Sequence, residues 1–489
     1  MRNLSGVAGL LAMAALCGCT GVAVGNDGGS GGGGGVGGGA AGGTGGGSAG
    51  GTGGGMAGSA GGGTGGGSAD AGSCALTFGT AIIPQPTSAQ LAPGASLVIP
   101  ETGVTVRRIS NLQDPGVNES QFTNGYSRWS AENVTGEYAT AFGASHAVIY
   151  KLSDRSVVRV LDVTEPNELH WDTSEAAGTQ TRIYYRTGAQ LRRVDALTGT
   201  DALVHDFHVD VPAAGVAMNA VEGAPSRDAR TWIFMLCASM DSGGGCVNLV
   251  DVVTYDQQAD AIVGRLSSVS AMPTPPPNFV DVAPNGDRVV LSTNAGQGGI
   301  FEGPHAFDLH FANATRVGNT STHSGWAWGL GGQQLFISQD DCSGETTTAE
   351  RRTCDYVIAV DVNAATGWDQ RVGVISNADV GWGIGWHFGR LYKPDPRGWA
   401  FMATEGADNA HWAWNQLFFF ELVDAAMTPR YVRVSPTINV HQGYWSEAFG
   451  SVSFRADAVY WGGNWNGTAP LELYRAQLCP RWWDSIPPR

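Results

Sequence analysis

Seven polar side chains fall at matching points of a loosely repeated segment: Arg128, His170, Glu222, Asn278, His323, His387 and Glu447. Each stands near the start of a short hydrophobic run, so a fold that gathers those starts in a ring would bring imidazole, carboxylate and guanidinium groups to one mouth. Such a mixture suits metal capture, anion recognition or acid–base work. The plainer role for the same residues is the lining of a wet channel. A second set is His146, His170, Tyr185 and Arg192, which includes the base and the donor or cation that proton abstraction beside a carboxylate requires. These four are the catalytic candidates.

Tryptophan gives a third signal, because all but Trp129, Trp171 and Trp232 lie from Trp326 onward. The pairs Trp326/Trp328 and Trp412/Trp414 are spaced by two, which puts each pair on one face of a strand. Most are expected in a core. Trp382, Trp386, Trp412 and Trp445 have Gly, Asn or His neighbours and are expected near the mouth, where an indole could stack on a sugar. The ligand-binding candidates are therefore Arg128, Glu222, Asn278, His323, Trp386, His387, Trp445 and Glu447. No cofactor is called for, although a divalent metal in the channel is compatible with these side chains. Other chemistries lack their motifs: the folded part has no G-x-S-x-G elbow and no H-E-x-x-H pair, and the glycine runs lack the Lys and Ser/Thr of a phosphate loop.

The scaffold these residues need is all-β. Short Val/Ile/Tyr/Phe/Trp runs are broken by Gly, Asn, Asp and Pro, with little helical periodicity. The repeated unit is a polar or aromatic residue, a small turn and a hydrophobic strand. It recurs over residues 126–142, 167–185, 220–236, 278–293, 324–338, 385–404 and 447–462. That spacing predicts a β-propeller, seven blades of four antiparallel strands, with a β-sandwich array as the rival. A lone twisted sheet leaves both faces exposed, whereas a ring of sheets buries each against its neighbours.

The N-terminus reads as an export address. Arg2, the apolar stretch from Val7 to Leu16 and the sequence Leu16-Cys17-Gly18-Cys19 fit a signal peptide, residues 1–18, that ends in a lipobox with Cys19 as the lipid acceptor. Residues 19–73 are the lipidated Cys and a Gly-rich linker, from about Gly25 to Gly72 almost only Gly, Ala, Ser and Thr, too poor in apolar groups to repay ordering. Such a chain spans about 40 Å on average. Residues 74–489 form the folded domain. The expected location is the bacterial envelope, lipid-anchored at the outer membrane or cell surface with the domain outside the cytoplasm, and the expected state is a monomer.

The formal net charge is −16 and the only lysines are Lys151 and Lys393, which argues against nucleic acid as a partner. The partners expected instead are the membrane, through the lipid, and a polysaccharide or protein ligand at the propeller mouth. Six cysteines remain after Cys17 and Cys19, and in an exported chain they read as disulfides. Cys237–Cys246 and Cys342–Cys354 each flank a short polar turn. Cys74–Cys479 is left to clamp the two ends of the domain, closing the ring.

Several turn segments also carry a resemblance: Asn133 to Gly136, Arg227 to Arg230, Pro284 to Asp287, Gly385-Trp386-His387 through Arg397-Gly398-Trp399, and Trp461 to Trp465. From about Tyr126 onward the chain resembles the secreted bacterial seven-bladed propellers of the TolB-like and oligogalacturonate-lyase-like type. The resemblance implies the fold more than the function. Polysaccharide lyases of that kind use His, Tyr and Arg, in some cases with a metal held by His and Gln. Here Ala224, Ser324 and Phe449 stand where such blades often carry an acidic or His residue beside the channel, which argues against that metal site. Two readings follow. One is a ligand-binding, carbohydrate-directed or interaction module. The alternative is a polysaccharide lyase or related sugar-active enzyme that uses His and Tyr beside a uronate carboxylate.

Overall fold

The computed structural model describes residues 75–489 apart from 163–167, 221, 242–243, 343–349, 382–383, 407–410 and 424–426. The signal peptide, Cys19, the linker, Cys74 and Trp382 therefore lie outside the described residues.

The turns are built as their residues dictate. At Asn133–Gly136 the Asn133 side chain accepts the amides of Glu137 (3.0 Å) and Tyr138 (3.1 Å), and Gly136 closes the turn at φ +70°, a conformation that costs a residue without a Cβ little. At Pro284–Asp287, Gly286 at φ +79° donates its amide to Ala283 at 2.8 Å. Each turn releases the chain into a hydrophobic strand, Tyr138–Phe142 and Val289–Ser292 respectively. The repeated segments at 167–185, 278–293, 324–338, 385–404 and 447–462 coincide with the first hairpin of an antiparallel meander.

These meanders make a β-propeller with only two four-residue α-helices among the described residues. The expectation of seven separate four-stranded blades is corrected by the hydrogen-bond ladders. Three sheets have four strands, one has three and one has five, while two successive meanders merge into a nine-stranded sheet. The merger runs through the pairing of Trp328 with Trp399. The three-stranded sheet lacks a regular inner strand; the segment before Tyr138 pairs with it as isolated bridges, Thr123–Phe142 and Glu132–Ala139, and packs Trp129 on Phe142.

Closure is achieved by strand exchange between the two ends of the chain. Glu472–Gln477 pairs with Thr105–Arg108, so the five-stranded sheet combines three C-terminal strands with two N-terminal ones. Glu472 ties the seam, accepting from Arg108, from Ser110 Oγ at 2.5 Å and from the Leu112 amide at 3.2 Å. The disulfides Cys237–Cys246 and Cys342–Cys354 are both present, each within a hairpin. Neither joins the termini. Cys479 is disulfide-bonded, but Cys74, the partner expected for it, lies outside the described residues. Tryptophan is chiefly core, with Trp129, Trp232, Trp326, Trp328, Trp461, Trp465 and Trp482 fully buried.

Candidate functional site

The first strands of the meanders, with the loops and turns around them, bring two layers of polar groups together. The deeper layer is a hub of buried charge. Arg128 donates to Glu222 Oε2 and Ser324 Oγ, both at 2.7 Å, and to Asp281 Oδ2 at 3.4 Å, while its guanidinium lies 4.1 Å over the Phe279 ring. Arg390 donates to Asp281 Oδ1 at 3.1 Å and to the Pro225 carbonyl at 2.7 Å. Asp281 also accepts from Trp326 Nε1 at 2.7 Å and from the amides of Ala224 and Val282 at 2.9 and 2.8 Å. Two guanidiniums thus face two carboxylates. Burial pushes the Glu222 carboxyl up to about 7, against the opposing pull of Arg128. Arg128 and Glu222 are therefore brought together, but they are buried and bind each other instead of lining an open mouth.

The outer layer runs from buried to exposed. Tyr126 Oη meets His323 Nδ1 at 2.9 Å, and the rings of His323 and His387 are 4.2 Å apart. His387 sits on Gly385–Phe388 and its Nε2 meets Glu447 Oε2 at 3.1 Å. Glu447 in turn groups with Glu405 and His441, their ligating atoms all within 4.8 Å of one another. Side-chain exposure rises from 2% at His387 through 13% at Glu447 and 22% at Glu405 to 50% at His441. In the turn that leads into Glu447, Tyr444 and Trp445 are half-buried, 5.1 Å apart and edge to face, and both pack on Phe449.

Local sequence explains this convergence. Gly385 opens one strand and Glu405 ends the next, and the two are cross-strand partners. A Cβ at Gly385 would collide with the Glu405 carboxylate, so glycine is what lets that carboxylate turn inward. Glu447 follows the single turn Tyr444–Ser446, which aims it back at His387.

The electrostatics follow from burial. His387 is depressed to about 3 by burial and by Arg128, and His323 well below the ordinary imidazole range by burial, His387 and Arg128. Both carboxyls are pushed up to about 7, by burial in each case and additionally by Glu447 at Glu405. Near neutral pH the His387 and His323 imidazoles are therefore neutral and the carboxyl pair holds part of a proton. Among the described residues no Lys or Arg pairs with Glu405 or Glu447, so the rim can accept hydroxyl protons or a cation.

The catalytic candidates are not gathered there. His146 is held by Glu119 at 2.7 Å, and His170 lies between the rings of Trp129 and Trp232 at 4.7 and 5.7 Å. Tyr185 and Arg192 are cross-strand partners that share Asp201, at 3.0 and 2.6 Å. His170 pairs instead with Tyr184, which puts it on the opposite face from Tyr185 because successive strand residues alternate. Asn278 is half-buried, its amide bound to the Ser292 carbonyl at 2.7 Å. Trp386 and Trp412 are 4% and 8% exposed, not at the surface. Trp386 turns away to donate to Gln339 at 3.0 Å, and Trp412 packs on Phe418 and Tyr431.

Sequence reasoning missed Glu405, His441, Tyr126, Asp281 and Arg390. It took only strand starts for the mouth. In an antiparallel hairpin the end of the second strand returns to the same rim, and the acidic residue that closes the run Trp399–Glu405 was the available signal.

The fold and its polar rim define this chain as a β-propeller protein. A solved oligogalacturonate lyase from Vibrio parahaemolyticus has the same fold, at 13% identity over 79% of this chain and 98% of that one, with a TM-score of 0.50. An oligogalacturonate lyase in complex with manganese gives 14% identity over 83% and 98% and a TM-score of 0.48. No family model and no curated protein matches the sequence.

Proposed function

We propose that this chain is a lipid-anchored, extracytoplasmic propeller that binds a saccharide at the rim formed by Glu405, Glu447, His441, Tyr444 and Trp445. The carrying observation is the half-buried aromatic pair Tyr444–Trp445 in the turn that leads into Glu447, which with Glu405 forms a carboxyl pair that has no Lys or Arg on it among the described residues. An aromatic face and hydrogen-bond acceptors are what a polyhydroxylated ring requires. The net acidity of the rim favours a neutral glycan over a uronate. Anchorage through Cys19 and the long linker would let the propeller reach ligands away from the membrane.

A second reading is elimination beside a uronate carboxylate. The Tyr126–His323 contact at 2.9 Å supports it, since it pairs the residue types such a step uses, in a fold shared with a lyase. Against it, Arg128 and Arg390 are committed to buried carboxylates.

The binding test is a glycan array probed with the full chain. Trp445→Ala and Glu447→Gln should each weaken the captured glycan about tenfold, equivalent to about 1.4 kcal/mol. Unchanged binding in both variants would remove the rim from the site. Incubation with acidic polysaccharides should release no ultraviolet-absorbing unsaturated uronate; release of one that Tyr126→Phe abolishes would establish the lyase instead. For the anchor, Cys19→Ser should abolish incorporation of labelled palmitate in a lipoprotein-processing host, and retained label would refute the lipobox.

A further inference from the structure

We infer that Glu405, His441 and Glu447 hold a divalent metal ion of borderline softness, Zn2+ by preference, at the propeller rim. The donors come from three separate segments: the end of Trp399–Glu405, the loop after Tyr431–Pro436, and the residue after the Tyr444–Ser446 turn. They meet within 4.8 Å, two oxygens and one nitrogen.

The spacing of the donors suits an ion held between them. His441 Nδ1 and Glu405 Oε2 face each other at 3.4 Å. Yet Glu405 Oε2 is enclosed and makes no hydrogen bond. Two ligands on a tetrahedral Zn2+ with bonds of about 2.0–2.1 Å stand about 3.3 Å apart. The observed span thus leaves room for the ion, and Glu447, within 4.8 Å of both, needs to close by at most about 1.5 Å to complete three ligands.

The surroundings behave as support for such a site. His387 is 2% exposed and its Nε2 meets Glu447 Oε2 at 3.1 Å, an orienting contact of the kind that fixes a ligating carboxylate. No Lys or Arg neutralises the two carboxylates among the described residues, so a dication would relieve their mutual repulsion. Three protein donors leave a coordination position open, as in sites that bind a further ligand. One imidazole among so few donors selects against Ca2+ and Mg2+, which take more oxygens or keep their water. The ion occupies the rim assigned above to a saccharide and, as that reading requires, would leave the open position for sugar hydroxyls.

The test needs no saccharide. Zn2+ is titrated calorimetrically into the full chain near neutral pH, and Co2+ is added separately so that its visible bands report a tetrahedral site. One ion should bind in the micromolar range or tighter, with Ca2+ and Mg2+ at least a hundredfold weaker. Glu405→Gln and His441→Ala should each weaken Zn2+ tenfold or more. His441 is half-exposed, so its removal leaves the packing intact, and His310→Ala, an exposed histidine elsewhere, should change nothing. Absence of Zn2+ binding, or binding that survives both rim variants, would overturn the inference. Zn2+ binding without any captured glycan would uphold the ion and end the saccharide reading, whereas glycan capture unaffected by chelator in a chain that binds no Zn2+ would do the reverse.

Discussion

Asp281→Asn should lower the unfolding free energy by about 3–5 kcal/mol, the cost of stripping one partner from a buried ion cluster. Asp281 is wholly buried, as are Arg128 and Arg390, and it accepts from both guanidiniums, from the Trp326 indole and from two backbone amides. Asparagine keeps the shape but removes the charge and turns an acceptor into a donor aimed at other donors. The hub would then hold two guanidiniums against Glu222 alone. Chemical denaturation of both proteins at one pH checks this, with the slope unchanged and the midpoint lowered. Asp281→Asn combined with Arg390→Met should recover part of the loss, because the excess positive charge is gone. A loss below 1 kcal/mol would mean that channel water screens the cluster.

His170→Phe should become more stable relative to the parent as the medium is acidified, by about 2 kcal/mol between pH 7.5 and 5. Burial, with Arg390 and Arg186, depresses His170 to about 3, against about 6.5 in the unfolded chain. Between those values the unfolded state carries a proton that the native state refuses. The parent therefore loses stability as pH falls through 6.5, by about 1.4 kcal/mol per unit. Phenylalanine has no such proton and preserves the ring between Trp129 and Trp232. The difference between the two proteins is the proper measure, because Glu222, Glu405 and Glu447 act in the opposite direction. Their raised carboxyls, each near 7, favour the native state at low pH and lose that contribution as pH rises above about 4.5. A difference that stays constant with pH would show that His170 is protonated in the native state.

Much of the architecture was legible because it is written locally. The Asn133–Gly136 turn, the two hairpin disulfides and the first hairpins of five repeated segments each depend on residues a few positions apart. The blade pattern was less legible. Whether neighbouring meanders stay separate depends on a few edge contacts, Trp328 with Trp399 and Trp326 with Arg390, which no local pattern announces. At the rim, His323, His387 and Glu447 were found because they begin strands or precede them. Glu405 and His441 were not, since their approach depends on strand return and on the path of a loop. Trp386 was misjudged for a related reason: its glycine neighbours suggested exposure, but the acceptor that buries it, Gln339, is 47 residues away.

The seam between Thr105–Arg108 and Glu472–Gln477 sets an order on biogenesis. The strand that leaves the ribosome among the first of the folded domain has to wait for a partner made almost last; Arg108 and Glu472 are 364 residues apart. Contacts of such separation are slow to form, and until they do, both strands present bare edges to any other chain. Until the seam forms, the domain is an open arc. Loss of a few residues near Gln477 would consequently release strands on both sides of the seam at once, making the Glu472–Gln477 strand a checkpoint for closure of the domain.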